Sequence, residues 1–219
     1  MNLSKLLVLL CVLSLGLAAA CARAETGESG AAPSEDTSPA EQSDFNEVVN
    51  IGDPAPVWHD LIGVDDQRHS LAELAGAQAV VVVFTCNHCP VAQAYQDRLI
   101  QLATDYAGKG VRLVAINVNN LAADKLPKMK ERAAEKGFPF PYLYDPTQAI
   151  GRAYGATVTP HVFLLNKSRH IVYMGAIDDS QDPTKVKTHY LRDALDALLA
   201  GQPPAPAATQ QFGCGIKYE

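Results

Sequence analysis

Apolar residues recur along this chain in two alternating patterns, one typical of buried strands and one typical of helices. The stretch from Ala79 to Phe84 is unbroken apolar and largely β-branched, which predicts a strand buried on both faces. After a short polar interval, Pro90 opens a pattern that places Tyr95 and Leu99 on one helical face. The sequence therefore predicts a strand that turns directly into a helix.

The same two patterns continue to about residue 199. Further strands are predicted at residues 111–118, 142–144, 162–165 and 171–173, and helices at residues 122–136, 147–154 and around 191–199. Parallel strands with crossover helices, followed by an antiparallel hairpin, indicate an α/β fold with a mixed sheet flanked by helices.

Residues 1–24 have the layout of a secretory signal: a basic residue, an apolar run and small residues at the end. Two endings fit. Cleavage after residue 24 would give a soluble product, whereas a lipoprotein signal ending before Cys21 would leave a lipid on that cysteine. Both alternatives predict an extracytoplasmic, periplasmic protein in a compartment where disulfides persist, with membrane contact only through the lipid on Cys21.

Composition separates a folded domain from its flanks. Residues 25–47 carry seven acidic residues and no Lys or Arg, which predicts a flexible acidic tether. The remaining chain is nearly neutral and shows no basic patch, so nucleic acid is not an expected partner. We expect one domain at 48–201, followed at 202–219 by a Pro-rich linker and a cysteine-containing tail.

The candidate chemistry lies between the first predicted strand and its helix, in Cys86-Asn87-His88-Cys89. Free backbone N–H groups and the helix dipole favour a thiolate at Cys86, and Cys89 lies within reach to resolve a mixed disulfide. His88 between them is expected to stabilise the thiolate and to make the couple more oxidising.

A structural zinc site is the main alternative for such a pair, and it requires a second pair of Cys or His ligands. The other cysteines are Cys11 and Cys21 in the leader and Cys214 near the end, and the histidines are scattered. Redox chemistry is therefore favoured, and neither a metal nor a cofactor is expected.

The chain resembles a known family from about Gly52 to Leu199. Its opening, Ile51 to Pro56, and its Cys-x-x-Cys and Thr159-Pro160 motifs are similar to the redoxin branch of the thioredoxin superfamily. That branch includes alkyl-hydroperoxide-reductase/thiol-specific-antioxidant proteins and extracytoplasmic thioredoxin-like reductases. The resemblance implies that Pro160 is cis and that it faces the cysteine pair together with Thr159.

The resemblance also implies the activity of a thiol-disulfide oxidoreductase, acting on protein thiols or disulfides with a redox partner protein. Thioredoxins commonly bury a carboxylate beneath the pair, but residues 79–84 contain none. Proton transfer from Cys89 would then use water, His88 or Asn117.

Two other functions stay open at this stage. A thiol peroxidase with antioxidant activity is the first, although the family's Thr and Arg positions hold other residues: Thr85 directly precedes Cys86, and Thr159-Pro160 stands at the Arg position. A copper-binding thioredoxin-like protein is the second, with His161 or His170 as the added ligand.

Cys214 is the unpaired thiol of the mature chain, in a Gly-flanked segment after the Pro-rich linker. We expect it to act as a third redox thiol through a transient Cys86–Cys214 disulfide. Docking or dimerisation by the tail is the alternative.

Overall fold

The structure, a computed structural model, describes residues 45–219. The leader at 1–24, Cys21 and residues 25–44 of the tether lie outside the described residues, and their predicted roles stay predictions. Within the described range, no helix combines the length and the apolar character needed to cross a membrane.

Within residues 45–219 the chain forms nine strands and four α-helices. The strands are β1 Leu61–Gly63, β2 Arg68–His69, β3 Ala79–Phe84, β4 Val111–Asn117, β5 Tyr142–Tyr144, β6 Val158–Thr159, β7 His161–Leu165, β8 Ile171–Gly175 and β9 Cys214–Gly215. The helices are α1 Pro90–Ala107, α2 Leu126–Lys136, α3 Ala149–Ala153 and α4 Tyr190–Leu199.

Seven strands form one mixed sheet in the order β2-β1-β5-β4-β3-β7-β8. Strands β3, β4 and β5 are parallel, whereas β7 and β8 pair as an antiparallel hairpin on the other side of β3. This confirms the predicted α/β fold with a mixed sheet and flanking helices. The sequence interpretation missed the short β1–β2 hairpin.

Strand β3 is buried on both faces, as predicted. Val81 and Val83 face a core shared with α1, α2 and α4, whereas Val82 and Phe84 face a second core that includes α3. Because both cores fix β3, the residues that follow its last position are held in place at the carboxyl end of the sheet.

The helix predicted at residues 122–136 is interrupted. A single 3-10 turn at Ala122–Asp124 precedes α2, and Lys125 between them is extended. Pro127 explains the break, because in a continuous helix it could not donate an N–H to the carbonyl four residues earlier and its ring would clash with that carbonyl, whereas it is well suited to the first turn of α2. The helix ends at Gly137 in the left-handed conformation, as predicted.

The C-terminal tail packs against the domain instead of standing apart as an extended linker. Thr209 donates its backbone N–H to Met174 on β8, 3.0 Å away, and its hydroxyl lies 2.7 Å from that of Tyr173. Farther on, β9 pairs with β6, and Ile216 is buried in the second core. The predicted boundary at residue 201 thus divides residues that pack together, because Thr209 and Ile216 bury side chains in the domain.

The structure also differs from the boundary predicted between the tether and the domain, after residue 47. Asn46, placed in the tether by composition, is buried and donates its side-chain N–H to the carbonyl of Tyr154 at 2.9 Å. The folded part therefore begins at least two residues before Val48.

The tail's return path along β8 yields a stability prediction. Gly175 has a φ of +133°, and a Cβ there would collide with backbone atoms of Thr209, whose carbonyl carbon would be 2.9 Å away. We expect Gly175→Ala to lower the free energy of unfolding by about 3 kcal/mol or more, through backbone strain and overpacking together. Denaturant titration measures this change.

Gly52→Ala is the matched control, because Gly52 has a φ of +93° with open space around its Cβ position. It should cost about 1–2 kcal/mol. Equal losses in the two variants would contradict the docking of the tail on β8.

Candidate active site

Cys86 and Cys89 lie where β3 ends and α1 begins, as the sequence predicted. Cys89 is the N-cap residue of α1, and its Sγ accepts the backbone N–H of Ala92 at 3.3 Å. Pro90 follows in the first turn of the helix. Cys86, Cys89 and Ala92 are buried together in one small cluster, and Cys214 packs against it.

The disulfide joins Cys89 to Cys214, and Cys86 is a free, buried thiol. In this state the partner of Cys214 is therefore Cys89 and not Cys86, with which the sequence predicted a transient bond, and the redox roles of Cys86 and Cys89 stay predictions. The reason is the path of the tail. Strand β9 runs antiparallel to β6 with Cys214 opposite Thr159, which sets the Cα atoms of Cys89 and Cys214 5.8 Å apart.

Thr159 contacts both active-site sulfurs. Its hydroxyl oxygen lies 3.1 Å from Cys86 Sγ, and its carbonyl oxygen lies 3.2 Å from Cys89 Sγ. The peptide bond to Pro160 is cis, as the family resemblance implied. Thr159 and Pro160 thus lie at the site, and the hydroxyl of Thr159 is the side-chain hydrogen-bond partner of Cys86.

Asp124 is the site residue that the sequence interpretation missed. Its carboxylate is fully buried, and Oδ1 accepts the backbone N–H groups of Asn87 at 2.8 Å and His88 at 3.1 Å. It comes from the 3-10 turn that follows β4. Because β3 and β4 are parallel neighbours, their carboxyl ends lie side by side. This topology could have predicted that Asp124 lies close to the loop that carries Cys86 and Cys89.

His88 is directed at this carboxylate. Its Nδ1 lies 2.6 Å from Asp124 Oδ2. Asn117, one of the predicted routes for a proton, instead donates its side-chain N–H to the backbone carbonyl of Asp124 at 2.8 Å. Asn117 therefore holds the turn that carries Asp124, and the titratable groups near the Cys86 thiol include His88 and Asp124.

The thiol of Cys86 is protonated at neutral pH in this structure. Its pKa is raised to about 11, chiefly by burial and in smaller part by the nearby Asp124 carboxylate. The hydroxyl of Thr159 and the backbone N–H groups of Cys89 and His88 oppose this shift. The predicted low-pKa thiolate is therefore wrong for this state, because burial outweighs the N–H groups at the helix start.

Neither histidine proposed as a copper ligand belongs to the cluster of possible metal ligands within residues 45–219. His161 is fully buried against Phe163, with ring centroids 4.6 Å apart and neither ring nitrogen hydrogen-bonded. Burial lowers its pKa to about 3, so the ring is neutral. His170 lies in the turn before β8, and its backbone N–H binds Asn166.

Within residues 45–219, the cluster that could hold a metal ion consists of Cys86, His88 and Asp124, whose ligand atoms lie within 4.8 Å of one another. A sulfur, a nitrogen and an oxygen would suit a borderline metal. Both carboxylate oxygens of Asp124 already bind N–H groups or His88, so a metal would have to replace those bonds.

A cavity of about 450 Å³ opens beside His88. Its walls include Asn87 from the loop before α1, Gln93 from the first turn of α1 and four charged residues of α2: Lys128, Glu131, Arg132 and Glu135. This cavity gives His88 a route to solvent whose lining includes no residue of the tail.

The buried carboxylate yields a titration prediction. In protein with the Cys89–Cys214 bond intact, Asp124→Asn should lower the pKa of Cys86 by about one unit, because a negative charge near a thiol disfavours the thiolate. Thiolate absorbance at 240 nm, taken as the difference from Cys86→Ser, measures this pKa.

Asp97→Asn is the matched control, since Asp97 is exposed on α1 and pairs with Lys136. It should leave the Cys86 pKa unchanged. A Cys86 pKa that stays the same or rises in Asp124→Asn would show that the carboxylate does not act on the thiol.

Comparisons with known proteins bear on the family of this chain and on its fold. A family model described as Redoxin matches residues 50–190. The search of curated proteins gave no match. Among solved structures, an uncharacterized conserved protein from Geobacillus kaustophilus is 38% identical with a TM-score of 0.73, covering 80% of this chain and 95% of its own.

Two further structures are similar. A hypothetical protein from Sinorhizobium meliloti is 32% identical with a TM-score of 0.74, covering 80% of this chain and 97% of its own. A peroxidoxin from Mycobacterium tuberculosis, 18% identical with a TM-score of 0.53, covers 71% of this chain and 95% of its own and supports the fold alone. From the family match and these identities, the chain belongs to the Redoxin family and has a thioredoxin-like fold.

Proposed function

We propose that this protein is an extracytoplasmic thiol-disulfide oxidoreductase whose working pair is Cys86 and Cys89. The observation that carries the proposal is a free thiol, Cys86, packed in one cluster with a disulfide, Cys89–Cys214. A thiol beside a disulfide is the starting arrangement for thiol-disulfide exchange, which proceeds by attack of a thiolate on a sulfur.

The exchange within the chain begins when Cys86 gives up its proton. Its thiolate attacks Cys89 Sγ, the Cys86–Cys89 bond forms, and the Cys89–Cys214 bond breaks. Cys214 leaves as a thiolate and takes up a proton. The step is an isomerisation of one disulfide, so it requires no oxidant or reductant.

His88 and Asp124 are the groups placed to accept the proton of Cys86. One polar atom of each lies within 4.8 Å of Cys86 Sγ, and His88 lines the cavity that opens to solvent. In thioredoxins, a carboxylate in the strand before the cysteines relays the proton. Here Asp124, which follows the neighbouring strand β4, would take that role.

The Cys86–Cys89 disulfide then reacts with a substrate dithiol. One substrate thiolate attacks Cys86 Sγ, forms a mixed disulfide and displaces Cys89. The second substrate thiolate then attacks the substrate sulfur of the mixed disulfide and displaces Cys86. The substrate leaves oxidised, and Cys86 and Cys89 are left as thiols. In reverse, the same steps reduce a substrate disulfide with electrons from a redox partner protein.

Two observations support the extracytoplasmic location. The leader has the pattern of a secretory signal. A disulfide between Cys89 and Cys214 also fits an oxidising compartment. Proteins that carry thiols or disulfides are the proposed substrates.

The test is insulin reduction with dithiothreitol as the electron source. Cys86→Ser and Cys89→Ser should each lose activity by about a hundredfold or more, because each removes one member of the pair. Cys214→Ser is the matched control, since it also removes a site cysteine, and it should retain activity. A loss in Cys214→Ser as complete as that in Cys86→Ser would contradict the Cys86/Cys89 assignment.

A further inference from the structure

Three side chains at the cysteine site converge on one point. The sulfur of Cys86, a ring nitrogen of His88 and a carboxylate oxygen of Asp124 all lie within 4.8 Å of one another. Thiolate, imidazole and carboxylate are the ligand classes that bind zinc in proteins, and three protein ligands leave a fourth position for water. Cys86 and His88 precede α1, whereas Asp124 follows β4. The convergence is therefore a product of the fold and not of one local motif.

An ion between His88 and Asp124 would replace one hydrogen bond. His88 Nδ1 and Asp124 Oδ2 are 2.6 Å apart. With bonds of about 2.1 Å and tetrahedral angles, both atoms could bind one zinc ion if they separated to about 3.4 Å. The side chain of Asp124 is fully buried, whereas that of His88 is partly exposed. The imidazole ring can therefore make this movement while the carboxylate stays in place.

The thiol of Cys86 requires a similarly small shift. A sulfur and a nitrogen or oxygen that bind the same zinc ion are about 3.6 Å apart, and the present separations are at most 4.8 Å. Cys86 would bind as a thiolate, and its proton would pass to water. The hydroxyl of Thr159 lies 3.1 Å from Cys86 Sγ, so it can donate a hydrogen bond to the bound thiolate.

The carboxylate of Asp124 is already oriented for metal binding. Its Oδ1 accepts the backbone N–H groups of Asn87 and His88, and neither of these bonds involves the oxygen that the ion would use. Asn117 holds the same turn by donating its side-chain N–H to the Asp124 backbone carbonyl. Hydrogen bonds of this kind fix the geometry of metal ligands. The His88–Asp124 bond is therefore the contact that has to give way.

The cavity beside His88 gives an ion a path to these ligands. The two basic side chains in its walls are each paired with an acidic one, Lys128 with Glu131 and Arg132 with Glu135. These four side chains together carry no net charge, so they do not repel a cation. An entry path, a set of suitable ligands and hydrogen bonds that orient them are the features that a metal site requires.

From this arrangement we infer that Cys86, His88 and Asp124 form a Zn²⁺ site, with water from the cavity as the fourth ligand. Zinc suits the site because it accepts sulfur, nitrogen and oxygen and does not oxidise the thiol that it binds. The ion binds the state in which Cys89 is bonded to Cys214 and Cys86 is a free thiol. Metal binding and a Cys86–Cys89 bond exclude each other, because both use the sulfur of Cys86. Zinc therefore holds the protein in the state with the tail disulfide and covers its free thiol.

Cobalt titration tests the site, because Co²⁺ enters tetrahedral zinc sites and gives a charge-transfer band in the near ultraviolet when a thiolate binds it. Every protein in the test is the full chain with Cys11→Ser and Cys21→Ser, so that Cys86 is the one thiol outside the Cys89–Cys214 bond. We expect one Co²⁺ per chain with this band, and Zn²⁺ should displace it. Absence of the band overturns the inference.

Each ligand has its own variant. Cys86→Ser should abolish the band, and His88→Ala and Asp124→Asn should each weaken Zn²⁺ binding about a hundredfold or more, since losing a ligand costs at least as much as losing a bond that orients one. Circular dichroism checks that each variant folds, and Cys86→Ser and His88→Ala decide the outcome if Asp124→Asn does not fold. A folded ligand variant that binds as tightly as the parent overturns the site.

His69→Ala is the matched control. His69 also lies 3.0 Å from two carboxylates, those of Asp65 and Glu73. These carboxylates contact opposite ring nitrogens, so the three groups do not converge on one point. His69→Ala should leave the affinity for Zn²⁺ and the cobalt band unchanged. Loss of the band in this variant would place the ion elsewhere and overturn the inference.

Alkylation gives a second measurement, because a sulfur bound to zinc is a poorer nucleophile than a free thiolate. One equivalent of Zn²⁺ should slow the modification of Cys86 by iodoacetamide about tenfold or more, and a chelator should restore the rate. In His88→Ala the same zinc concentration should give no protection. Equal rates with and without Zn²⁺ in the parent protein overturn the inference. None of these measurements uses a protein substrate, so the metal site and the proposed function can fail separately.

Discussion

Cys89 can form only one disulfide bond at a time, and the structure of the site follows from this limit. In the structure its partner is Cys214, which leaves Cys86 as a thiol. A bond between Cys86 and Cys89 would release Cys214. The position of the tail and the state of the active pair are therefore linked, because one sulfur serves both.

The tail is held in place by more than this bond. Strand pairing with β6, burial of Ile216 and the contacts of Gln148 with the last residues all act without the disulfide. The disulfide adds a constraint on the unfolded chain, since it joins residues 125 positions apart, and closing a loop of that order contributes about 4–5 kcal/mol in the chain-entropy model. Exchange at Cys89 would therefore lower the free energy of unfolding while leaving the tail close to its binding site.

When Cys214 is bonded to Cys89, the electrostatics of the site favour the thiol form of Cys86. Burial and the Asp124 carboxylate raise the pKa of Cys86, against the hydroxyl of Thr159 and two backbone N–H groups. The same carboxylate accepts the N–H groups of Asn87 and His88, so it shapes the loop that carries the cysteines. Because the tail helps to bury Cys86, its departure would let water reach the thiol and would lower the pKa of Cys86.

Local sequence pattern predicted much of the fold. The apolar run of β3, the proline that opens α1 and the Thr159-Pro160 motif are confirmed in the structure. These features depend on neighbouring residues or on a family motif. The break before Leu126 depends on Pro127, although the polar and Ala-rich pattern of residues 122–136 predicts one unbroken helix.

Contacts between distant residues could not be read in the same way. Asp124 reaches the site only because β4 is the parallel neighbour of β3, and no periodicity in its own segment marks it. The three cysteines within residues 45–219 allow three different single disulfides, and choosing among them requires the path of the tail across β6.

The central claim is that the oxidised protein carries its disulfide on Cys89 and Cys214 and keeps Cys86 free. Acid quenching of air-oxidised protein, alkylation of free thiols, digestion without reductant and fragment mass spectrometry would locate the bond. The account predicts a peptide containing Cys214 linked to Cys89, with the alkyl group on Cys86. A bond within the Cys86/Cys89 pair, with the alkyl group on Cys214, would contradict it.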